Sequence, residues 1–141
     1  MKILFLTRQL GLGGAERQLV ELAIGLHKRG VTVAVAAFYS NGALDSELKR
    51  AGVNLYDLGK SGRWDLLVFF FRLFKLLRRE SPDILHGYLP VANILTVIFR
   101  FAVPRAQIVW GVRASNMVPS SYDWLTRMVY RVEALLSGKA D

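Results

Sequence analysis

The stretch Lys2-Ile3-Leu4-Phe5-Leu6, followed by Gly11-Leu12-Gly13-Gly14-Ala15-Glu16-Arg17, decides the fold. An apolar strand runs into a glycine turn, and the turn opens a helical pattern from Ala15 to about Arg29. The first N–H groups of such a helix have no partner in the helix, and its dipole is positive at that end, so the turn reads as an anion site. Gly13 and Gly14, without side chains, let a phosphate or a sugar come close to the backbone. A plain tight bend is the other reading of the same residues.

Two better-known glycine motifs do not fit. A dinucleotide fingerprint needs a small third residue, and Glu16 stands there; it also needs a carboxylate at the end of the second strand, which runs out as Phe38-Tyr39-Ser40-Asn41. A phosphate loop of the Walker type needs Gly-Lys-Ser/Thr, and none follows. A nucleotide-cofactor oxidoreductase is therefore the remotest of the readings kept.

Outward from the turn, strands alternate with helices to the end of the chain, which predicts an α/β fold with a doubly wound parallel sheet of about five strands, ordered 3-2-1-4-5. The second strand, Val31 to Phe38, is almost continuously apolar, as a central strand covered on both faces should be. His27-Lys28-Arg29-Gly30 and Leu48-Lys49-Arg50-Ala51-Gly52 each end a helix with basic residues and a glycine suited to a left-handed cap. A third strand follows over Val53–Tyr56 and a helix from about Arg63 to Glu80, stopped near Ser81 by Pro82. Asp83 to Gly87 is the fourth strand, Pro90 opens a helix to about Ala102, Gln107 to Val112 is the fifth strand, and Ser120-Ser121 can cap a last helix over Tyr122–Ser137.

The chain has 141 residues, 52% of them hydrophobic, enough for one core. With no cysteine and two histidines, disulfides and a thiolate metal site are excluded, and a metal bound by His27 and His86 alone is not expected. No leader is read at the amino terminus, and no apolar run reaches the about 18 residues that a spanning helix needs, so a soluble or peripheral protein is expected, and the absence of cysteine is compatible with the cytoplasmic location expected for it.

The turn resembles one in the amino-terminal half of the GT-B glycosyltransferases, in particular the retaining family-4 type, whose Gly-Gly-Ala-Glu-Arg stands here as Gly13-Gly14-Ala15-Glu16-Arg17. Leu19-Val20-Glu21-Leu22-Ala23, Pro82-Asp83-Ile84-Leu85-His86 and Tyr130-Arg131-Val132-Glu133-Ala134-Leu135-Leu136 are similar to later motifs of that family. The resemblance implies one Rossmann-like, acceptor-side domain over residues 1–141. It also implies transfer of a sugar, with retention, from a nucleotide-diphosphate sugar to a glycan or lipid-linked acceptor, with no resident cofactor. A second domain binds most of the nucleotide sugar in that family and carries a Glu-x7-Glu motif, whereas the glutamates here, at 16, 21, 47, 80 and 133, include no such pair. No catalytic residue is therefore assigned, and the chain alone is expected to be inactive. It ends as Ser137-Gly138-Lys139-Ala140-Asp141, the approach to a further strand, so it reads as a fragment with an apolar face of Leu125, Met128, Val129, Val132 and Leu136 left open.

The expected substrate-binding residues are Gly13, Gly14, Glu16, His86, Tyr88 and Arg113, all at carboxyl ends of strands or just beyond them. His86 is either a crevice ligand or a half-buried histidine bonded to a loop. Arg113, in Trp110-Gly111-Val112-Arg113-Ala114-Ser115, stands where relatives carry a histidine; arginine is no base but binds phosphate bidentately, so its expected role is electrostatic, a bare surface arginine being the alternative. Glu16 and Arg17 can also simply face solvent, since a carboxylate in a first helical turn is favourable without any function.

The net charge of +8 and pI near 10.2 call for an acidic partner. Nucleic acid is not expected, for want of a recognised motif. An anionic membrane at the inner face fits the segment Trp64 to Arg79, which combines a wide apolar arc with Arg72, Lys75 and Arg79 at helical spacing, although a crossover helix must also bury one face on its sheet. A non-catalytic basic module holding an anionic lipid or partner is the second functional reading.

Overall fold

A computed structural model describes residues 1–39, 41–62, 64–111 and 124–141, apart from the side chains of residues 125 and 126. Arg113, the Ser120-Ser121 cap and the Leu125 side chain lie outside the described residues. The strands are β1 Lys2–Thr7, β2 Thr32–Ala37, β3 Asn54–Asp57, β4 Ile84–Tyr88 and β5 Gln107–Gly111, all parallel and ordered β3-β2-β1-β4-β5. The helices are α1 Gly14–Lys28, α2 Asp45–Arg50, α3 Leu66–Glu80, α4 Pro90–Ile98 and α5 Trp124–Leu136. The expected class, strand number and order are those observed.

Alternation along β1 sends its side chains to two cores. Leu4 and Leu6 pack with α3 and α4, including Phe69, Leu73, Leu77 and Leu95, while Ile3 and Phe5 pack with Leu19, Val20 and Ala23 of α1. β1 therefore lies between layers on both faces, and the reversal of strand order beside it, between β1 and β4, opens a crevice at the carboxyl ends of the strands.

The helix ends follow the local chemistry. Gly30 and Gly52 take positive φ of 84° and 79°, the left-handed conformation expected after α1 and α2. Ser81 closes α3 with φ 42° and its hydroxyl donates to the Arg78 carbonyl at 2.9 Å, so Pro82 never enters the helix. Two boundaries differ from expectation. α3 starts at Leu66, just after Asp65, whose carboxylate accepts the Ser61 N–H at 2.7 Å; Arg63 lies outside the described residues. α4 ends at Ile98, and Phe99–Ala102 winds as a 3-10 turn.

At the far edge, the Asp141 N–H donates to the Ile108 carbonyl at 2.8 Å and its carboxylate accepts the Ile108 N–H at 2.9 Å, so the last residues run against β5. That N–H, and then Arg100, hold the Asp141 carboxyl below the usual aspartate range. The apolar face expected to be open on α5 is covered in part. Val129, Val132 and Leu136 are half-buried because α5 packs on α4, with Glu133 and Asn93 buried and the Asn93 amide donating to the Glu133 carboxylate at 2.6 Å. Met128 is exposed as expected, and Trp124 and Leu135, which were not part of the expected face, are exposed as well.

Candidate functional site at the carboxyl edge of the sheet

β1 hands the chain to Arg8, Gln9 and Leu10, and the fully buried Leu10 anchors the loop before Gly11 by accepting the Leu44 N–H at 3.0 Å. Gly13 is the residue before the first turn of α1, with φ −65° and ψ 159°, and no side chain caps that end. The first helical bond runs from the Arg17 N–H to the Gly13 carbonyl at 3.0 Å, which leaves the N–H groups before it without a bond inside the helix.

The two glycines differ in a telling way. A Cβ on Gly13 would strike the Glu16 carboxylate, which folds back over the turn. A Cβ on Gly14 would meet nothing within 4 Å, and its φ is not positive. Neither backbone strain nor packing asks for glycine at 14, so its bareness leaves the exposed helix end open from outside. Arg17 points away, to Glu47 at 3.7 Å.

His86 and Tyr88 sit on one face of β4, with rings 5.0 Å apart. His86 lies in the strand, beside Phe5 and Val109 in register, with its ring 5.1 Å from that of Phe5. Tyr88 is buried, packs edge-on to Phe5 at 6.2 Å, and ends the strand. Between them Gly87 has no room for a side chain: a Cβ would lie 2.8 Å from the Asn93 Cα and 2.9 Å from its nitrogen, so glycine is what lets α4 press on β4. A Cβ on Gly111 would lie 3.1 Å from the Tyr88 ring, so β5 leaves Tyr88 room in the same manner.

After Tyr88, Leu89 takes φ 72° and ψ 160°, a region that only glycine enters freely, at a cost of roughly 1–3 kcal/mol. That bend starts α4 at Pro90, beside an open cavity of about 370 Å³ lined by Arg8, Tyr88, Leu89, Pro90, Val129 and Tyr130.

Sequence reasoning missed the cations of this edge. The Arg8 guanidinium carbon stands 5.7 Å from the centre of the Tyr39 ring, and the Lys60 nitrogen 5.5 Å from it. Two cations on one ring keep the ends of β1 and β2 positive. Arg8 was available as a signal, since a cation just past the first strand of a parallel sheet must lie at the ligand edge. Its meeting with Tyr39 and Lys60 depends on tertiary structure. Of the expected residues, Gly13, Gly14 and Glu16 form the turn, and Tyr88 and the missed Arg8 line the cavity; His86 is placed deeper along β4. Among the described residues, no three carboxylate, imidazole or thiol groups gather as a metal site.

Solved structures with this architecture include HepE of Anabaena in complex with UDP and glucose, at 21% identity and a TM-score of 0.77 over 99% of this chain. They also include a UDP-GlcNAc 2-epimerase from Neisseria meningitidis bound to UDP-GlcNAc, at 18% identity and 0.64 over 96%, and MurG of Acinetobacter baumannii, at 13% and 0.62 over 93%. The chain spans 36% of that HepE chain, 38% of the epimerase and 39% of MurG, so the likeness is one of fold over a part of each. No curated protein matches it by sequence. The model of the family described as Glycosyltransferase Family 4 matches residues 12–141, from the glycine turn to the last residue, and the chain belongs to that family.

Proposed function

We propose that this chain is the acceptor-side half of a retaining glycosyltransferase that moves a sugar from a nucleotide-diphosphate donor to a hydroxyl of a glycan or lipid-linked acceptor. The observation that carries the reading is the start of α1, where no side-chain bond caps the helix and Gly14 faces open space beside the Glu16 carboxylate. As the sugar leaves, the bond from its anomeric carbon to the diphosphate oxygen breaks, negative charge gathers on the departing phosphate, and the acceptor hydroxyl bonds to the anomeric carbon while its proton passes to that departing phosphate oxygen. Fixed N–H groups and the positive end of a helix stabilise that charge more than they stabilise the intact donor, which is the condition for lowering the barrier. Arg8 adds a cation at the same edge of the sheet. UDP or a UDP-sugar named in two of the similar structures supports a nucleotide sugar as the donor.

In this reading Gly13 and Gly14 face the donor phosphates, Glu16 is a further substrate contact at the turn, His86 and Tyr88 shape the floor of the crevice, and Arg113 contributes charge. A second domain outside this chain supplies most donor contacts, so the chain by itself does not turn over. No metal or cofactor is required beyond the donor substrate, and the site of action is the cytoplasm or its membrane face.

Calorimetric titration of the chain with nucleoside diphosphates, a nucleotide sugar and NAD tests the proposal. Saturable binding of the diphosphates, abolished by Gly14→Val and absent with NAD, is the expected result. A flat response to all diphosphates would move the chain to the second reading, a non-catalytic basic module, and tight NAD binding would overturn both.

A further inference from the structure

α3 buries Phe69, Leu73, Leu76 and Leu77 on the sheet, yet it leaves Leu66, Leu67, Val68, Phe70, Phe71 and Phe74 exposed. Leu67, Phe71, Phe74 and Arg78 follow one another at spacings of four, three and four residues, which puts them on one stripe of the helix. The stripe continues onto the 3-10 turn after α4. Phe74 stacks on Phe101 with ring centres 5.8 Å apart, and Phe101 stacks on Phe99 at 5.9 Å. Leu67, Phe71 and Phe101 are 83%, 65% and 66% exposed, a contiguous apolar surface that a chain surrounded by water rarely keeps.

The charge beside this surface differs from the sequence grouping of Arg72, Lys75 and Arg79. Arg72 donates to the Leu58 and Gly59 carbonyls at 3.1 and 3.3 Å, and Arg79 pairs with Glu80 at 3.2 Å while lying over the Tyr56 ring. Both serve the fold. Lys75, Arg78 and Arg105 have no carboxylate partner among the described residues. Arg78 and Arg105 line one cavity of about 370 Å³ with Ser81 and Asp83, and the Asp83 carboxylate is already engaged with the Lys2 N–H at 2.7 Å.

We infer that the outer face of α3, joined to Phe101, seats the chain on an anionic lipid bilayer, with Phe71, Phe74 and Phe101 in the acyl boundary and phosphate headgroups at Lys75, Arg78 and Arg105. Apolar side chains flanked by unpaired cations match a layer that is greasy below and negative above. A second copy of the chain is the poorer occupant, because a two-fold contact sets the same patch against itself and brings these cations face to face. Among the described residues no helix is long and apolar enough to cross a membrane, so the seat lies in the interface. The inference stands apart from the sugar-transfer reading.

Co-sedimentation of the full chain with vesicles of phosphatidylcholine, alone or mixed with phosphatidylglycerol, tests it. Binding should require phosphatidylglycerol and weaken with salt. Arg78→Ser with Arg105→Ser should lower the partition coefficient roughly 25-fold, at about five-fold per cation, while Lys28→Ser at the end of α1 leaves it unchanged. Phe71→Ser with Phe101→Ser should lower it at least about ten-fold on the same vesicles. Equal binding to phosphatidylcholine alone, no binding to either vesicle, or an equal loss in Lys28→Ser would each overturn the inference. So would a dimer in sedimentation equilibrium that Phe71→Ser dissolves. If a double variant does not fold, the lipid and salt dependence of the unaltered chain decides.

Discussion

α1 and α3 are both fifteen residues long and cover opposite faces of the same sheet, yet they use their side chains differently. α1 buries Leu19, Val20 and Ala23, packs Ile24 and Leu26 against the same core, and leaves only Leu22 as an exposed large apolar side chain, as a helix that only has to cover a sheet should. α3 buries four apolar residues and displays six more. The sheet accounts for all but one of the large apolar residues of the first helix and for less than half of those of the second. The two helices also differ in where a residue is absent for no internal reason: at the start of α1 it is the missing side chain of Gly14. Ligand chemistry is thus to be sought at the end of α1, and surface chemistry along the flank of α3.

The sharpest way to break this contrast lies within α3. Leu73→Ala empties a fully buried position and should cost about 2–5 kcal/mol in urea unfolding. Phe71→Ser, two residues away on the displayed stripe, should change stability by no more than about 0.5 kcal/mol. Comparable losses from the two substitutions would mean that the displayed residues belong to the core.

How much of this was legible in the sequence depended on whether the signal was local. The turn at Gly13-Gly14, the left-handed glycines 30 and 52, the stop before Pro82 and the strand order all follow from neighbours in the chain or from the rules of parallel sheets. The facing of α3 was not legible. Apolar residues fill so much of its circumference that periodicity cannot tell which of them meet the sheet, and Phe69 and Phe70, adjacent in sequence, end on different sides of that boundary. For the same reason Arg72 and Arg79, grouped with Lys75 by spacing, turn out to serve the Leu58 and Gly59 carbonyls and Glu80. In the site, Arg8 and Lys60 meet on Tyr39 only because β1, β2 and the loop after β3 end side by side. Glu133 was legible as part of a motif but not as a buried partner of Asn93, a contact made across two helices.

On the α4 side of the crevice, Gly87 is a sharper probe of packing than either glycine of the α1 turn. Its added methyl in Gly87→Ala would meet backbone atoms of Asn93, which cannot swing aside, so α4 must lift from β4; the expected loss is about 1–3 kcal/mol. Gly14→Ala, facing open space, should leave stability within about 0.5 kcal/mol. A neutral Gly87→Ala would show that α4 is not held as close to the sheet as the ladder of β4 and β5 requires, and differential scanning calorimetry of the pair reads both values.

The smallest of these effects concerns how α3 is fastened at its far end. Glu80, its last residue, accepts from the Tyr56 hydroxyl at 2.9 Å and pairs with Lys2 at 2.8 Å and Arg79 at 3.2 Å, which joins α3 to β1 and β3. Burial alone would raise its carboxyl, but Lys2, Tyr56 and Arg79 together outweigh it and hold the group below the usual glutamate range. A lowered folded value means that the contribution is complete above the unfolded value and is lost as pH falls through the lowered one. Burial, then the bond to Glu80, raises the Tyr56 hydroxyl, so its contribution is complete below the ordinary tyrosine value and disappears as pH rises through the raised one. Stability should therefore fall on both the acid and the alkaline side. Glu80→Gln should flatten the acid limb and lower the plateau by about 1 kcal/mol, the size of a charge-assisted hydrogen bond lost where a neutral one remains. An unchanged acid limb in that variant would place the acid sensitivity in other carboxylates and leave α3 fastened by its buried leucines alone.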